Sequence, residues 1–244
     1  MATTTSVGSA SIAQPDYWWY AARESLLRAA LGRFVGHPRR VLDVGSADGP
    51  SVGWLRVSGH HVSLDLDPRG LAKGGVCGSA LSLPFSTGSF DVVAAFDVVE
   101  HCEPESTVMA ELVRVLAPRG RLLLSVPAYQ WAWTQFDDLN GHHRRYTRAR
   151  AVRAVETSGL VVDRATYAFM SVFPLFALER LFRRISQRAA DPSPGLEPGD
   201  VPPLPQVSPL MHRTLLSLCS ADRRLLAKHD LPLGSSVLVA ASKP

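Results

Sequence analysis

One short segment combines an apolar run with the small and acidic residues expected of a ligand-binding loop. It extends from Val41 to Pro50 and reads VLDVGSADGP, a predicted strand followed by a small-residue loop and then by a proline suited to the first turn of a helix. Small residues let a ligand approach the backbone closely. Asp43 in the strand and Asp48 in the loop would repel a pyrophosphate and attract a ligand that carries positive charge.

A second acidic residue, Asp65, falls near the end of the next predicted strand, Val62–Leu66. A carboxylate there can accept two hydrogen bonds from ribose hydroxyls, as in many nucleoside-cofactor sites, NAD sites included. The loop spacing Gly45-x-Ala47-x-Gly49 differs from the G-x-G-x-x-G of dinucleotide sites. The charge pattern therefore favours S-adenosylmethionine, which bears an ammonium and a sulfonium. The plainer alternatives make Asp43 a helix cap and Asp65 a turn residue.

With these motifs, the sequence resembles the class I S-adenosylmethionine-dependent methyltransferases, in the ubiquinone/menaquinone-biosynthesis-type branch. The resemblance covers about residues 16–170 and the final strand, and it includes the segments 80–93, 96–101 and 116–124. It implies a Rossmann-like α/β fold. The sheet would have seven strands in the order 3-2-1-4-5-7-6, with strand seven antiparallel, helices on both faces and a helical lid inserted before the last strand.

The resemblance also implies roles for ten cofactor-binding residues. The methionine part would be held by the loop residues, which are Asp43, Gly45, Ser46, Ala47 and Gly49. Asp65 would bind the ribose, Leu66 would pack on the adenine, and Phe96 would flank the sulfonium. Ser79 and Ala80 would contact the adenine edge. The sequence departs from the family pattern at Ala47, where a glycine is usual, and at Ser79, where an aspartate is usual.

A second group of polar residues follows predicted strand five, on the ligand side of the sheet. Its histidines suggest a base that removes a proton from the acceptor, with His142 first and His143 next, followed by His101 at the end of predicted strand four. The substrate-binding candidates are Tyr129, Trp131, Arg144, Arg145 and Tyr146, the arginines gripping an anion and the aromatic rings facing an apolar group. The alternatives are a solvated loop in which Thr147 caps the helix 148–158 and, for His101, a structural bond to the backbone.

The alternation of strands and helices predicts one domain over residues 15–244, after a disordered tail over 1–14. Its core would comprise about 38–168 and 235–243, and a helical lid or linker about 169–234. Strands are predicted over 40–44, 62–66, 90–96, 121–126, 161–169 and 235–241, and the clearest helix over 106–117. The basic amphipathic stretch 172–188 suits either a lid over an apolar substrate or a peripheral contact with anionic lipid.

The composition of the chain argues against several classes of partner and binding site. The 244 residues carry a net charge of +4 without a concentrated basic stripe, so we expect no nucleic-acid partner. Three cysteines without Cys-x-x-Cys spacing argue against disulfides and thiolate metal sites, and we expect no metal. The expected location is cytoplasmic, because residues Met1 to Gln14 lack the features of a secretory signal.

The predicted function is methyl transfer from S-adenosylmethionine to a small-molecule acceptor by in-line displacement, with a histidine as base. An isoprenoid, lipid-linked or natural-product acceptor fits the aromatic residues and the lid. The alternatives are an NAD(P)-dependent oxidoreductase and a cofactor-binding protein without turnover. The sequence does not indicate the oligomeric state or the acceptor atom.

Overall fold

A twisted sheet of seven strands forms the centre of the computed structural model, which describes residues 17–46, 50–57, 59–186 and 207–244. The strands lie in the order β3-β2-β1-β4-β5-β7-β6, and β7 runs antiparallel to both of its neighbours. The predicted strand order is therefore confirmed. The strands are β1 (Arg40–Val44), β2 (His60–Asp65), β3 (Val76–Cys77), β4 (Phe90–Phe96), β5 (Leu116–Pro127), β6 (Val161–Ala168) and β7 (Ser236–Ser242).

The central strands are buried because helices cover both faces of the sheet, and their sequences are accordingly almost continuously apolar. β1 and β4 have the predicted bounds. β5 begins earlier than predicted, at Leu116, since Leu116 pairs with Phe90 ahead of an irregularity in the β4–β5 ladder. The helix predicted over 106–117 therefore ends at Val115 rather than continuing to residue 117.

Six helices pack around this sheet. They are α1 (Trp18–Leu31), α2 (Glu105–Val115), α3 (Gln135–Leu139), α4 (Arg148–Thr157), α5 (Phe173–Ser186) and α6 (Pro209–Leu226), all within the residues that the structure describes. Short 3-10 turns join several elements, including Pro50–Val57 after β1 and Val99–His101 after β4. The predicted tail over 1–14, the loop residues 47–49 and most of the proline-rich segment lie outside the described residues.

The two helices of the predicted lid differ in their surroundings. α6 packs on α1 and buries Leu215, Cys219 and Leu226 in the core that both helices share. α5 instead leaves its apolar side chains open, with Leu178 and Phe182 each more than 60% exposed. Among the described helices, none is long and apolar enough to cross a membrane. Apolar side chains are thus exposed on both helices, Leu210 of α6 included, but α6 also contributes to the core.

A buried arginine joins β6 to these helices. The Arg164 guanidinium donates hydrogen bonds to the carbonyl oxygens of Ala30 at 2.8 Å, Leu226 at 2.8 Å and His229 at 2.9 Å, and it pairs with Asp230 at 2.7 Å. These contacts satisfy carbonyl groups at the ends of α1 and α6, which have no partner within their own helices. Arg164 thus fixes the edge of the sheet to both helices.

We expect Arg164→Ala to lower the free energy of unfolding by about 3 to 5 kcal/mol, because three carbonyl groups and the Asp230 carboxylate lose their partner. Urea denaturation measures this change. Arg153→Ala, at an exposed position on α4, is the matched control and should change stability by less than about 0.5 kcal/mol. Equal stability of the two variants would contradict the connecting role of Arg164.

Candidate active site

The carboxyl ends of β1, β2 and β4 meet at one edge of the sheet, where ligands bind in open α/β folds. The turn after β1 bends toward β2, because the amides of Gly45 and Ser46 both donate to the Leu64 carbonyl, at 2.7 and 3.2 Å. Gly45 has φ +73°, and a Cβ at this position would lie 2.3 Å from Cγ2 of Val98. A glycine is therefore required where the turn crosses the segment after β4.

Asp43 is buried at the end of β1, directly before this turn. Among the described residues, its Oδ2 has no hydrogen-bond partner, and Nε2 of His61 lies 3.8 Å away, too far for a hydrogen bond. Burial raises the pKa of Asp43 to about 7, against the opposing effects of Ser46 and Arg23. Burial also lowers the pKa of His61, so the imidazole does not neutralise the carboxylate. An uncompensated acid here suits a cationic ligand group.

The predicted ribose- and adenine-binding residues lie at the next strand end. Oδ1 of Asp65 accepts a hydrogen bond from the Asp67 amide at 2.9 Å, so Asp65 shapes the turn after β2. Partial burial raises the pKa of Asp65. Leu66 is 73% exposed and therefore free to pack against a flat ring. The Ser79 hydroxyl accepts from the Leu81 amide at 3.2 Å, and Ala80 packs at the edge of the core.

An ion pair that the sequence did not indicate supports the other side of the crevice. Nε of Arg23 donates to Oδ2 of Asp97 at 2.8 Å, and the Ser125 hydroxyl donates to Oδ1 at 3.0 Å. Asp97 has φ +58°, a sparsely populated conformation for a non-glycine residue. The Arg23 guanidinium also lies over the rings of Trp19 and the buried Phe96. Arg23 is thus engaged within the protein, and Phe96 reaches the crevice only as part of its wall.

Two of the three predicted histidines come together. His101 ends the 3-10 turn after β4, and His142 follows α3; their rings lie 4.5 Å apart in an edge-to-face arrangement. The loops are tied by the backbone, since the His143 amide donates to the Glu100 carbonyl at 2.7 Å. The side chain of His143 is exposed and outside this pair. His142 is held through Nδ1, which lies 2.9 Å from Oδ1 of Asp137.

Asp137 is a site residue that the sequence reasoning missed, although the spacing from Thr134 to Asp137 matches a capping box. Burial tends to raise the pKa of Asp137, but hydrogen bonds from His142, Thr134 and Arg145 hold it below the usual value. Burial of part of the His101 ring, together with the adjacent His142, lowers the pKa of His101 to about 4. Full burial and the nearby Asp97 raise the pKa of Glu100 well above its usual value.

The structure corrects the expected role of three residues on the same loop. Arg144 is buried and donates to the Cys102 carbonyl at 2.5 Å, besides pairing with Glu103. Arg145 donates to Asp137 at 2.7 Å and to the Ala128 carbonyl at 3.2 Å. The buried Tyr146 donates to Glu105. Because their donors are used within the protein, these side chains hold the loop in place rather than grip a substrate anion.

The remaining substrate-binding candidates form an aromatic wall after β5. The ring of Tyr129 stacks on those of Trp131, at 5.8 Å between centroids, and Tyr167, at 5.4 Å. Phe173 at the start of α5 contacts both Tyr129 and Trp131. The structure thus brings Tyr129 and Trp131 together and adds two aromatic residues to them. Trp131 is 43% exposed, so part of this wall is open to solvent. Ala47 and Gly49 lie outside the described residues.

Comparison with known sequences identifies the central part of this chain. Residues 42–124 match the family model of a methyltransferase domain. The chain is 34% identical over 156 residues to a phthiotriol/phenolphthiotriol dimycocerosates methyltransferase of Mycobacterium ulcerans, covering 54% of this chain and 57% of that protein. It is 31% identical over 149 residues to a demethylmenaquinone methyltransferase of Beutenbergia cavernae, covering 56% and 60%. The chain thus spans less than two thirds of these relatives.

Solved structures share the fold. A putative methyltransferase of Haloferax volcanii, in complex with the Trm112 methyltransferase activator, aligns with a TM-score of 0.56 at 17% identity, covering 96% of this chain and 92% of that one. A Burkholderia thailandensis 1,6-didemethyltoxoflavin-N1-methyltransferase, solved with its namesake compound and S-adenosylhomocysteine, aligns with a TM-score of 0.51 at 15% identity, covering 96% and 83%. At these identities the likeness concerns the fold.

The raised pKa of Asp43 predicts a pH-dependent effect on stability. The folded protein retains this proton from about pH 4 to about pH 7, whereas the unfolded chain does not, so the stabilising contribution is lost as the pH rises through about 7. Asp43→Asn avoids this loss. We expect the variant to gain about 2 to 4 kcal/mol over the parent protein between pH 5 and pH 8.

Urea denaturation at the two pH values tests this expectation. Glu156→Gln, at an exposed position on α4, is the matched control and should show no such gain. An Asp43→Asn variant whose stability follows that of the parent at both pH values would show that Asp43 is ionised without cost.

Proposed function

We propose that this chain, whose fold and central domain are those of the class I S-adenosylmethionine-dependent methyltransferases, transfers a methyl group from that cofactor to an apolar small-molecule acceptor. The main support is the buried Asp43, whose Oδ2 lacks a partner among the described residues at the turn after β1. A cationic group is the natural counterpart of such an acid. Asp65 at the next strand end supplies the acceptor that a ribose requires.

The same residues divide the cofactor between them in this proposal. Asp43 attracts the ammonium, while the turn of Gly45 and Ser46, with Ala47 and Gly49, surrounds the methionine part. Asp65 accepts from the ribose, Leu66 covers the adenine, and Ser79 and Ala80 border its edge. Phe96 stays in the wall near the sulfonium. When bound, the cofactor supplies a methyl group that is already activated, so the protein needs to position the acceptor and exclude water.

An acceptor that loses a proton also requires a base, and the geometry supports His142 best. The Asp137 carboxylate accepts from Nδ1 of His142, which leaves Nε2 as the free basic nitrogen. His101 is less suited, because its pKa of about 4 makes it a weak base. His143 has the third place, since its side chain points to solvent.

The aromatic wall favours an apolar acceptor. Tyr129 and Trp131 stack on each other, Phe173 contacts both rings, and α5 continues from Phe173 with exposed leucines. Relatives named for demethylmenaquinone and phthiotriol dimycocerosates suggest bulky apolar acceptors too. An isoprenoid, lipid-linked or natural-product acceptor therefore fits. A peripheral contact of α5 with lipid would serve the delivery of such a compound.

Calorimetry separates this proposal from its alternatives. We expect S-adenosylhomocysteine to bind and NAD not to bind. Asp65→Ala should weaken binding by about 10- to 100-fold, because a hydrogen bond between a carboxylate and a hydroxyl contributes about 1.5 to 3 kcal/mol. Asp67→Ala, which changes an acid that pairs locally with Arg69, is the matched control and should bind nearly as well. Binding of NAD alone would favour an oxidoreductase.

A methyl-transfer assay tests the assignment of His142 as the base. With demethylmenaquinol as the first acceptor, His142→Ala should reduce methyl transfer by about 100- to 10,000-fold, while the affinity for S-adenosylhomocysteine stays the same. His60→Ala, at an exposed position on β2, is the control for loss of a histidine. Undiminished transfer in His142→Ala would remove the base assignment. Cofactor binding without transfer to any acceptor would favour a binding protein.

A further inference from the structure

Three side chains that could bind a metal ion lie close together beside the crevice. The proposed methyl transfer requires only one of them, His142. The Glu-His-His cluster consists of Glu100 and His101, from the 3-10 turn after β4, and His142, from the loop after α3. One possible ligand atom from each lies within 4.8 Å of the others. Since two separate loops contribute, the spacing in the sequence gave no sign of a metal site, and none was expected.

The Glu100 carboxyl group is a second, independent observation that indicates a ligand at this position. Its side chain is fully buried, and neither Oε1 nor Oε2 has a hydrogen-bond partner within the described parts of the chain. A buried carboxyl group without partners is costly, and such groups in proteins are normally hydrogen-bonded or bind a ligand. The two imidazoles beside it donate no hydrogen bond to it, so a ligand shared with them would satisfy it.

His142 is also oriented as metal-binding histidines usually are. Metal-binding imidazoles typically donate their other ring N–H to a carboxylate or a carbonyl group. Nδ1 of His142 meets Asp137 at 2.9 Å, and Asp137 is itself fixed by Arg145 and the Thr134 amide. This arrangement determines which nitrogen of His142 faces the cluster. The ring is thereby positioned before any ion arrives.

We propose that Glu100, His101 and His142 form a binding site for one divalent transition-metal ion. Two imidazoles and a carboxylate suit Zn²⁺, Fe²⁺, Mn²⁺ and Co²⁺ better than Mg²⁺ or Ca²⁺, which prefer oxygen ligands. Atoms about 2.1 Å from one ion lie about 3.4 Å apart at tetrahedral angles, so the ligand atoms, now within 4.8 Å of one another, need to approach by up to about 1.4 Å. Because His101 is partly exposed, the remaining coordination positions face solvent or an acceptor.

The site adjoins the cofactor crevice, since Val98, two residues before Glu100, lies against the turn at Gly45. Metal binding itself does not depend on the proposed function, but any part that the ion takes in the reaction does. The two roles of His142 exclude each other in one molecule, because the ion and the acceptor proton use the same nitrogen. An ion-loaded protein would present the ion to an acceptor oxygen, and an ion-free protein would present the base.

Metal titration of the full chain, without cofactor or acceptor, tests the site apart from methyl transfer. After chelator treatment and dialysis, we expect one Zn²⁺ to bind per chain by calorimetry and to raise the thermal unfolding midpoint. Glu100→Gln, His101→Ala and His142→Ala should each weaken binding by at least about 100-fold. Glu100→Gln retains the shape and neutrality of the protonated side chain and so keeps the fold. His60→Ala and Cys77→Ser are matched controls and should bind as the parent does.

Co²⁺ provides a spectroscopic readout of the ligands. We expect weak visible bands typical of nitrogen and oxygen ligands, which disappear in the Glu100→Gln variant. A strong near-ultraviolet thiolate band would assign a cysteine as ligand and overturn the proposal. It would also be overturned by Zn²⁺ binding that survives all three cluster variants, or by no binding to the parent protein. None of these results would affect S-adenosylhomocysteine binding, so the failure of the metal site and the failure of the methyltransferase proposal are distinguishable.

Discussion

Acidic side chains withdrawn from water at one edge of the sheet are the constraint on which the site depends. Asp43, Asp97 and Glu100 all lie at or just after the carboxyl ends of β1 and β4. Asp97 is directly compensated, by Arg23. Asp43 and Glu100 have raised pKa values because burial removes their solvation. Among the described residues, Oδ2 of Asp43 and both carboxyl oxygens of Glu100 have no hydrogen-bond partner. Unfavourable placement of this kind is common at functional sites, where stability and activity conflict.

Positive charge stabilises the frame around this edge. Arg144 and Arg145 fasten the loop after α3 to the turn after β4 and to β5, and Arg164 fastens β6 to α1 and α6. All three are buried, and their donors are used by backbone carbonyls and carboxylates. Arginine suits this task because its planar group offers five donors in fixed directions. The histidines and the aromatic wall are therefore presented by a loop that is held at many points.

The bounds of β1 and β4 could be predicted because apolar runs and small-residue turns reflect local rules, whereas the strand order could be predicted only from the family resemblance. The direction of side chains on irregular loops could not. Adjacent arginines such as Arg144 and Arg145 are typical of an anion-binding site. Only the packing shows that their side chains are buried within the protein. Asp137 has an ordinary helix-start position, and its importance arises from His142 and Arg145 in space. The pairing of His101 with His142 likewise depends on how two distant loops fold together.

The hydrogen bond from the His143 amide to the Glu100 carbonyl has a consequence for communication between the two halves of the site. In the proposed site, the turn after β4 would border the cofactor and the loop after α3 would border the acceptor. Because this hydrogen bond joins the two segments, a ligand that displaces one of them must also distort or move the other. By thermodynamic linkage, occupancy of either half changes the affinity of the other by the same factor. The two compounds that meet at this edge would then bind cooperatively rather than independently.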